Sequence, residues 1–217
     1  MPAKYARMRC VAPVAAMTSV SVIRTSSDKL THVSGGRGIV EGMADIAEVT
    51  TNMLVDAFTR VRDELPSQLD GLTAEQVLWR PAPDANPMGW LAWHLARVQD
   101  DHLADLGGID QVWTGGGWAG RFALPYDEGA IGYGHSSAEV GAFTVGDTAL
   151  LTGYHAAVHE LTVQVIETLG TATDYERIVD ERWDPPVSAA VRVVSVIGDI
   201  TQHLGQAAYV RGLAERA

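Results

Sequence analysis

Cysteine is almost missing from this chain: only one of its 217 residues is a cysteine, Cys10, close to the N-terminus. The body of the chain therefore contains no disulfide, no thiolate metal ligand and no cysteine nucleophile. Any thiol chemistry must use a thiol brought in from outside. Long apolar runs are missing too. No stretch approaches the roughly 20 residues that span a bilayer, and the N-terminal segment has no long apolar core ahead of a clean cleavage site, so a cytoplasmic location is the expectation. Positive charge is scarce beyond residue 42. The first 42 residues carry six Lys/Arg against two acids, which leaves −15 on the rest of a chain of net charge −11. A surface of that sign repels phosphate backbones and anionic lipid and releases no counterions, which argues against nucleic-acid and membrane partners.

What is present is a 47% hydrophobic sequence long enough for one well-filled core. Residues 1–42 mix Ser, Thr, Gly and Val with scattered Arg and show no helical period, which reads as a loosely ordered basic tail. A processed targeting segment, or a start codon placed upstream of a true start near Met43, would each fit. Residues 43–217 are the expected domain. From Ala44, Leu54, Ala57, Phe58, Val61, Leu65 and Leu69 recur on one face of a first helix. Thr73–Gln76 is a capping-box pattern, and Trp79-Arg-Pro-Ala-Pro83 then turns the chain back. Asn86-Pro87 is expected to open a second helix, Met88 to about Leu106, with Asn86 as cap.

Residues 107–135 hold glycines and aromatics without period, a long loop that is either a pocket wall or a packed structural loop. Ser136 or Ser137 is expected to cap the approach to a third helix with the stripe Leu151, Tyr154, Val158, Leu161 and Val165. Pro185-Pro186 is expected to open a fourth, Val187 to about Glu215, whose valine-rich first half predicts the most buried helix of the set. Four such helices predict an all-α four-helix bundle.

Bundles build metal sites from side chains on facing helices, with ligands three or four apart on one helix. Asp199 and His203 have that spacing and follow directly on the valine run, where an unpaired carboxylate is costly and a cation would relieve it. His94 falls on the inward face of the second helix. The same residue types also serve as ordinary satisfied core polar groups, and a rival four-spaced pair exists at His155 and His159, expected on a half-exposed face. His102 lies two turns beyond His94, and His135 at the loop end could meet a substrate or cap a turn. His32 falls in the tail.

The stretches Trp79-Arg-Pro81, Asn86-Pro-Met-Gly-Trp-Leu-Ala-Trp-His94-Leu95 and Asp199-Ile-Thr-Gln-His203-Leu-Gly-Gln206 resemble the DinB-like superfamily, which includes mycothiol- and bacillithiol-dependent transferases and the metal-binding domain of mycothiol-dependent maleylpyruvate isomerase. The resemblance runs from about Met43 to the C-terminus. It implies an up-down-down-up four-helix bundle and a divalent metal held by His94, Asp199 and His203. Many members have histidine in the place of Asp199, and the carboxylate here leaves nickel, manganese or iron beside zinc as candidate ions.

Three protein ligands leave a zinc ion open for chemistry. The resemblance then implies a thiol cosubstrate such as mycothiol, transferred to a small electrophile or added reversibly in an isomerisation, a detoxification chemistry. Trp118, Arg121, His135 and His159 are the candidate substrate contacts, and Asp101 and His159 the candidate general bases. Metal-assisted hydrolysis needs the same ligands, and a non-catalytic metal-dependent binding or stress-response protein is the reading from another class. An apolar outer stripe on paired helices would favour a homodimer.

Overall fold

A computed structural model describes the backbone from residue 36 to residue 217 and the side chains from residue 46. The expectation of a loose tail falls largely outside these residues. Four long helices carry the architecture: α1 (Gly36–Leu69), α3 (Met88–Gly107), α7 (Thr148–Glu167) and α9 (Ala189–Ala214). Five helices of four or five residues join them: α2 (Ala74–Leu78), α4 (Val112–Gly115), α5 (Trp118–Phe122), α6 (Ser137–Gly141) and α8 (Ala172–Glu176). Strands β1 (Ile178–Asp180) and β2 (Val187–Ser188) pair antiparallel ahead of α9. Segments of three and two residues are too short to leave a period in the sequence, and this pair was not foreseen. No helix among the described residues is long and apolar enough to cross a membrane.

Side-chain contacts give the helix directions. Arg97 and Gln99 on α3 reach Tyr154 and Thr162 on α7, in increasing order, so these two helices run parallel. His94 meets His203 and His102 meets Arg192, so α3 and α9 run antiparallel. Thr59 bonds His159 while Arg62 acts electrostatically on His155, so α1 and α7 are antiparallel. Together these relations make α1 parallel to α9, the up-down-down-up order that the resemblance implies. Arg211 near the end of α9 accordingly donates to the carbonyl of Ser67 near the end of α1.

The core differs from the expectation in one respect. α3, packed between α7 and α9, is buried over nearly its whole circumference, from Met88 to Leu106. The first half of α9 is not, since Val191 is 51% and Val194 65% exposed. β-Branched residues on an outer face raise apolar content without marking burial, which is why the valine run misled.

Caps also differ. Pro87 rather than Asn86 occupies the cap position of α3 and bonds no amide through a side chain. Ser136 caps the short α6 in a reciprocal box with Glu139, and α7 starts later, capped by Asp147. Ser188, not the proline pair, opens α9.

The segment between α3 and α7 is packed rather than open. Asp100 accepts from the backbone N–H groups of Val112 at 2.9 Å and Trp113 at 2.7 Å, which caps α4 from a buried carboxylate on α3. Tyr154 donates to the same carboxylate at 2.8 Å. Trp113 then meets Trp93, Phe122 and Tyr154 at ring separations of 5.2–6.3 Å, within the range of favourable aromatic pairs. Glycine and aromatic residues thus have separate duties here: the glycines turn the chain, and the aromatics seat it on α3 and α7.

Candidate metal centre

His94 is 5% exposed and is held from three sides. Trp90, one turn earlier on α3, stacks on its ring at 4.6 Å with an interplanar angle of 20°. The Nδ1–H donates to the carbonyl of Ile131 in the segment leading to α6. Gly132 follows with φ of 89°, and a Cβ there would lie 2.6 Å from His94 Nδ1. The chain can come this close to the imidazole only because the residue has no side chain, and its backbone conformation suits glycine for the same reason. With Nδ1 committed, the lone pair of His94 is on Nε2.

On α9, His203 has the same arrangement by a different route. Its Nδ1–H donates to Oε1 of Gln206 at 3.0 Å, one turn on, which again leaves Nε2 with the lone pair. The rings of His94 and His203 meet edge to face at 4.7 Å. Nε2 of His203 lies 3.7 Å from Oδ2 of Asp199, too far for a hydrogen bond. The other carboxylate oxygen, Oδ1, is buried and has no hydrogen-bond partner. One donor atom from each of the three residues falls within 4.8 Å of the others, and among the described residues this is the one cluster of three metal-capable side chains.

The electrostatics agree with a place for a cation. Burial, with His203 close by, pushes the His94 imidazole down to about 4, so it is neutral with its lone pair available at physiological pH. Burial pushes the Asp199 carboxyl up, opposed by His203 and His102. A buried carboxylate oxygen without a hydrogen-bond donor, beside the neutral His94 imidazole and the His203 ring, is a pocket rich in acceptor atoms. The set of two nitrogens and one oxygen suits zinc and the neighbouring first-row divalent ions.

The other expected contacts divide. His135 lies beside the trio: its ring meets those of Trp90 and Trp93 near 6 Å, Trp90 Nε1 donates to its Nδ1 at 3.4 Å, and it acts electrostatically on His94. Trp118 and Arg121 instead pack on each other, with the guanidinium 3.8 Å above the indole and the indole against Tyr154. His159 is 6% exposed and bonds Thr59 at 3.0 Å, while His155 is 1% exposed and donates from Nε2 to Gln99 at 3.2 Å. The expectation of a half-exposed face for this pair is therefore corrected. The contact between α1 and α7 covers it, with Thr59 on α1 bonded to His159 and Arg62 acting on both rings. Asp101, pushed up by burial but pulled further down by hydrogen bonds from His102 and Gln111 and by the Arg97 charge, is a poor proton acceptor.

Sequence reasoning missed the groups that orient the candidate ligands. Trp90 and Gln206 stand within the motifs already quoted, and Gln206 is three residues from His203, a spacing that signals a contact on one helix face. The Ile131 carbonyl had no signal beyond Gly132. Arg97 was also missed: fully buried, it donates to the carbonyl of Ala130, to Gln111 and to Tyr154, and so ties the segment before Ile131 to α3.

With this geometry in view, residues 53–215 match the family model described as mycothiol-S-transferase. A solved structure titled as a conserved protein from Enterococcus faecalis is 29% identical to this chain. The match covers 77% of this chain and 98% of that one, with a TM-score of 0.72. No curated protein gives a significant match.

Proposed function

The chain belongs to the mycothiol-S-transferase family, and from that premise we propose that it is a divalent-metal-dependent enzyme that activates a mycothiol-like thiol for transfer to, or isomerisation of, a small electrophile. The observation that carries this reading is the convergence of one donor atom each from His94, His203 and Asp199 within 4.8 Å, with Oδ1 of Asp199 buried and without a hydrogen-bond donor. These three would hold the ion, with zinc the best fit to the donor set.

When bound, such an ion supplies Lewis acidity: a thiol of pKa about 8.5 is only about 3% thiolate at pH 7, and lowering that value by two units makes it roughly three-quarters thiolate. The protein's own residues do the rest. Ile131 and Gln206 fix the two imidazole tautomers, and Trp90 walls one side of His94 against water. His135, whose Nδ1 accepts from Trp90, carries its proton on Nε2 and serves as a donor to the electrophile or to the departing group. In transfer, the thiol sulfur forms the new carbon–sulfur bond, the leaving group departs with its electron pair, and the thiol proton passes to solvent. The absence of cysteine from the body of the chain fits a thiol that arrives as cosubstrate.

The test is a conjugation assay with purified mycothiol and a fluorogenic alkylating agent, run on metal-free and zinc-reloaded protein. Turnover that needs both metal and thiol supports the reading. Metal-dependent loss of an ester or amide substrate without thiol consumption would replace it with hydrolysis.

A further inference from the structure

We propose that the outward face shared by α1 and α9 is the surface on which two copies of this chain pair about a twofold axis. Six of the ten large apolar side chains exposed among the described residues lie there: Ile46, Val49 and Met53 on α1, and Val191, Val194 and Tyr209 on α9. Ile46 is 67%, Met53 68% and Tyr209 70% exposed. On α1 the three are spaced three and four apart, one face of the helix, turned away from Thr59 and Arg62, which face α7. The two helices run parallel, and Arg211 on α9 meets the Ser67 carbonyl on α1. Counting back equally from that contact puts residues 46–53 level with residues 190–197. The apolar side chains of the two helices thus form one patch, which Tyr209 extends along α9.

Within one chain, part of this face has no purpose. Gly198 and Gly205, seven apart on α9, lie between Val194 and Tyr209, and a Cβ on either would meet nothing within 4 Å. Glycine destabilises a helix interior relative to alanine, so two glycines that face open space break the local preference without a gain inside the chain. A second helix laid against the face supplies the gain. The distance between packed helices is set by the side chains at their contact, and glycine lets the backbones come closest.

Charge and area name the occupant. Beyond residue 42 the chain carries −15, so two copies repel over most of their surface. Between Val191 and Tyr209 the charged residues of α9 are Arg192 and Asp199, and both are turned toward α3, where they meet His102 and the His94 neighbourhood. The outward face is neutral, and a second copy approaches it without that cost. At roughly 100 Å² for each of six side chains the patch offers about 600 Å² per copy, close to the ~800 Å² per partner of a standard interface. A twofold axis sets the same patch on both sides of the contact, so each apolar side chain is used twice. Asp199 and His203 lie on the α3 side of α9, and the pairing covers neither.

Sedimentation velocity of the full chain at micromolar concentration is the test, and the wild type is expected to run at twice the chain mass. Val194→Glu should raise the dissociation constant at least a hundredfold, because the twofold puts two unpaired carboxylates into one interface. Its helical circular dichroism should match the wild type, since Val194 is 65% exposed within one chain. Gly198→Leu, whose side chain meets open space within one chain, should weaken pairing about tenfold by holding the helices apart. A monomeric wild type would overturn the proposal and leave the face to residues 1–35 or to another protein. A dimer left intact by either substitution would put the contact elsewhere and overturn it as well.

Discussion

Two pairs of histidine-bearing positions, each four residues apart on one helix, lead opposite lives in this protein. On α9, Asp199 and His203 face His94, and every imidazole Nδ1 there is occupied so that Nε2 is left with a lone pair. On α7, His155 and His159 spend Nε2 on Gln99 and Thr59, and no carboxylate joins them. The first neighbourhood holds a buried carboxylate oxygen with no hydrogen-bond donor, whereas in the second Gln99 and Thr59 each meet an Nε2. Spacing alone put both pairs on the right footing for metal binding. What decides between them is the atom that meets the other ring nitrogen, and that atom comes from a different element each time.

The comparison is broken most severely by removing the carboxylate. Asp199→Ala leaves only the two imidazoles, and zinc affinity measured by competition with a chromophoric chelator should fall by at least a hundredfold. The pair His155→Asn/His159→Asn should leave it within twofold. Next in size is Gly132→Ala. Its Cβ would sit 2.6 Å from His94 Nδ1 at a φ of 89°, so the imidazole or the segment must shift. Metal affinity should drop by tens of fold, with a stability loss on the order of 1–3 kcal/mol in chemical unfolding.

A smaller change is expected from Gln206→Ala, which frees the His203 ring without touching a ligand atom. About a tenfold loss of affinity with unchanged stability is expected, as for other groups that orient metal ligands.

The α7 pair has its own signature in pH. Burial, with His159 and Arg62 adding their charge, pushes His155 down to about 3, against an unfolded value near 6.5. The unfolded chain therefore binds the extra proton first as the medium is acidified. The stability due to this group is fully present above about pH 6.5 and is lost as pH falls toward 3. Unfolding free energies measured across that range should rise with pH, and the slope should shrink in His155→Asn. An unchanged slope would show that other groups set it.

Much of the fold was legible because it rests on long-period signals. Phe58, Val61, Leu65 and Leu69 on α1, and Leu151, Tyr154, Val158 and Val165 on α7, are buried as their spacing predicts. Caps were less legible. Ser136 and Asp147 both satisfy the chemistry of a helix start, and only the packing of Val140 and Phe143 decides that a separate short helix comes first.

The site divides in the same way. Asp199 and His203 are paired by one helix, so their spacing can be read. His94 joins them through a long-range packing of α3 on α9 that no local pattern records. Ile131, which sets the His94 tautomer, contributes only a backbone carbonyl, and carbonyls leave no mark in a sequence. His155 and His159 were misplaced because their burial depends on α1 crossing them, which is a property of the whole bundle.

Elemental analysis of the purified chain after reloading with zinc, beside Asp199→Ala and His155→Asn/His159→Asn, tests the central claim most directly. About one metal ion per wild-type chain, retained by the double histidine variant and lost by Asp199→Ala, is the expected result. A folded wild type that takes up no zinc, nickel, manganese or iron, or metal that leaves with the α7 pair instead, would contradict it.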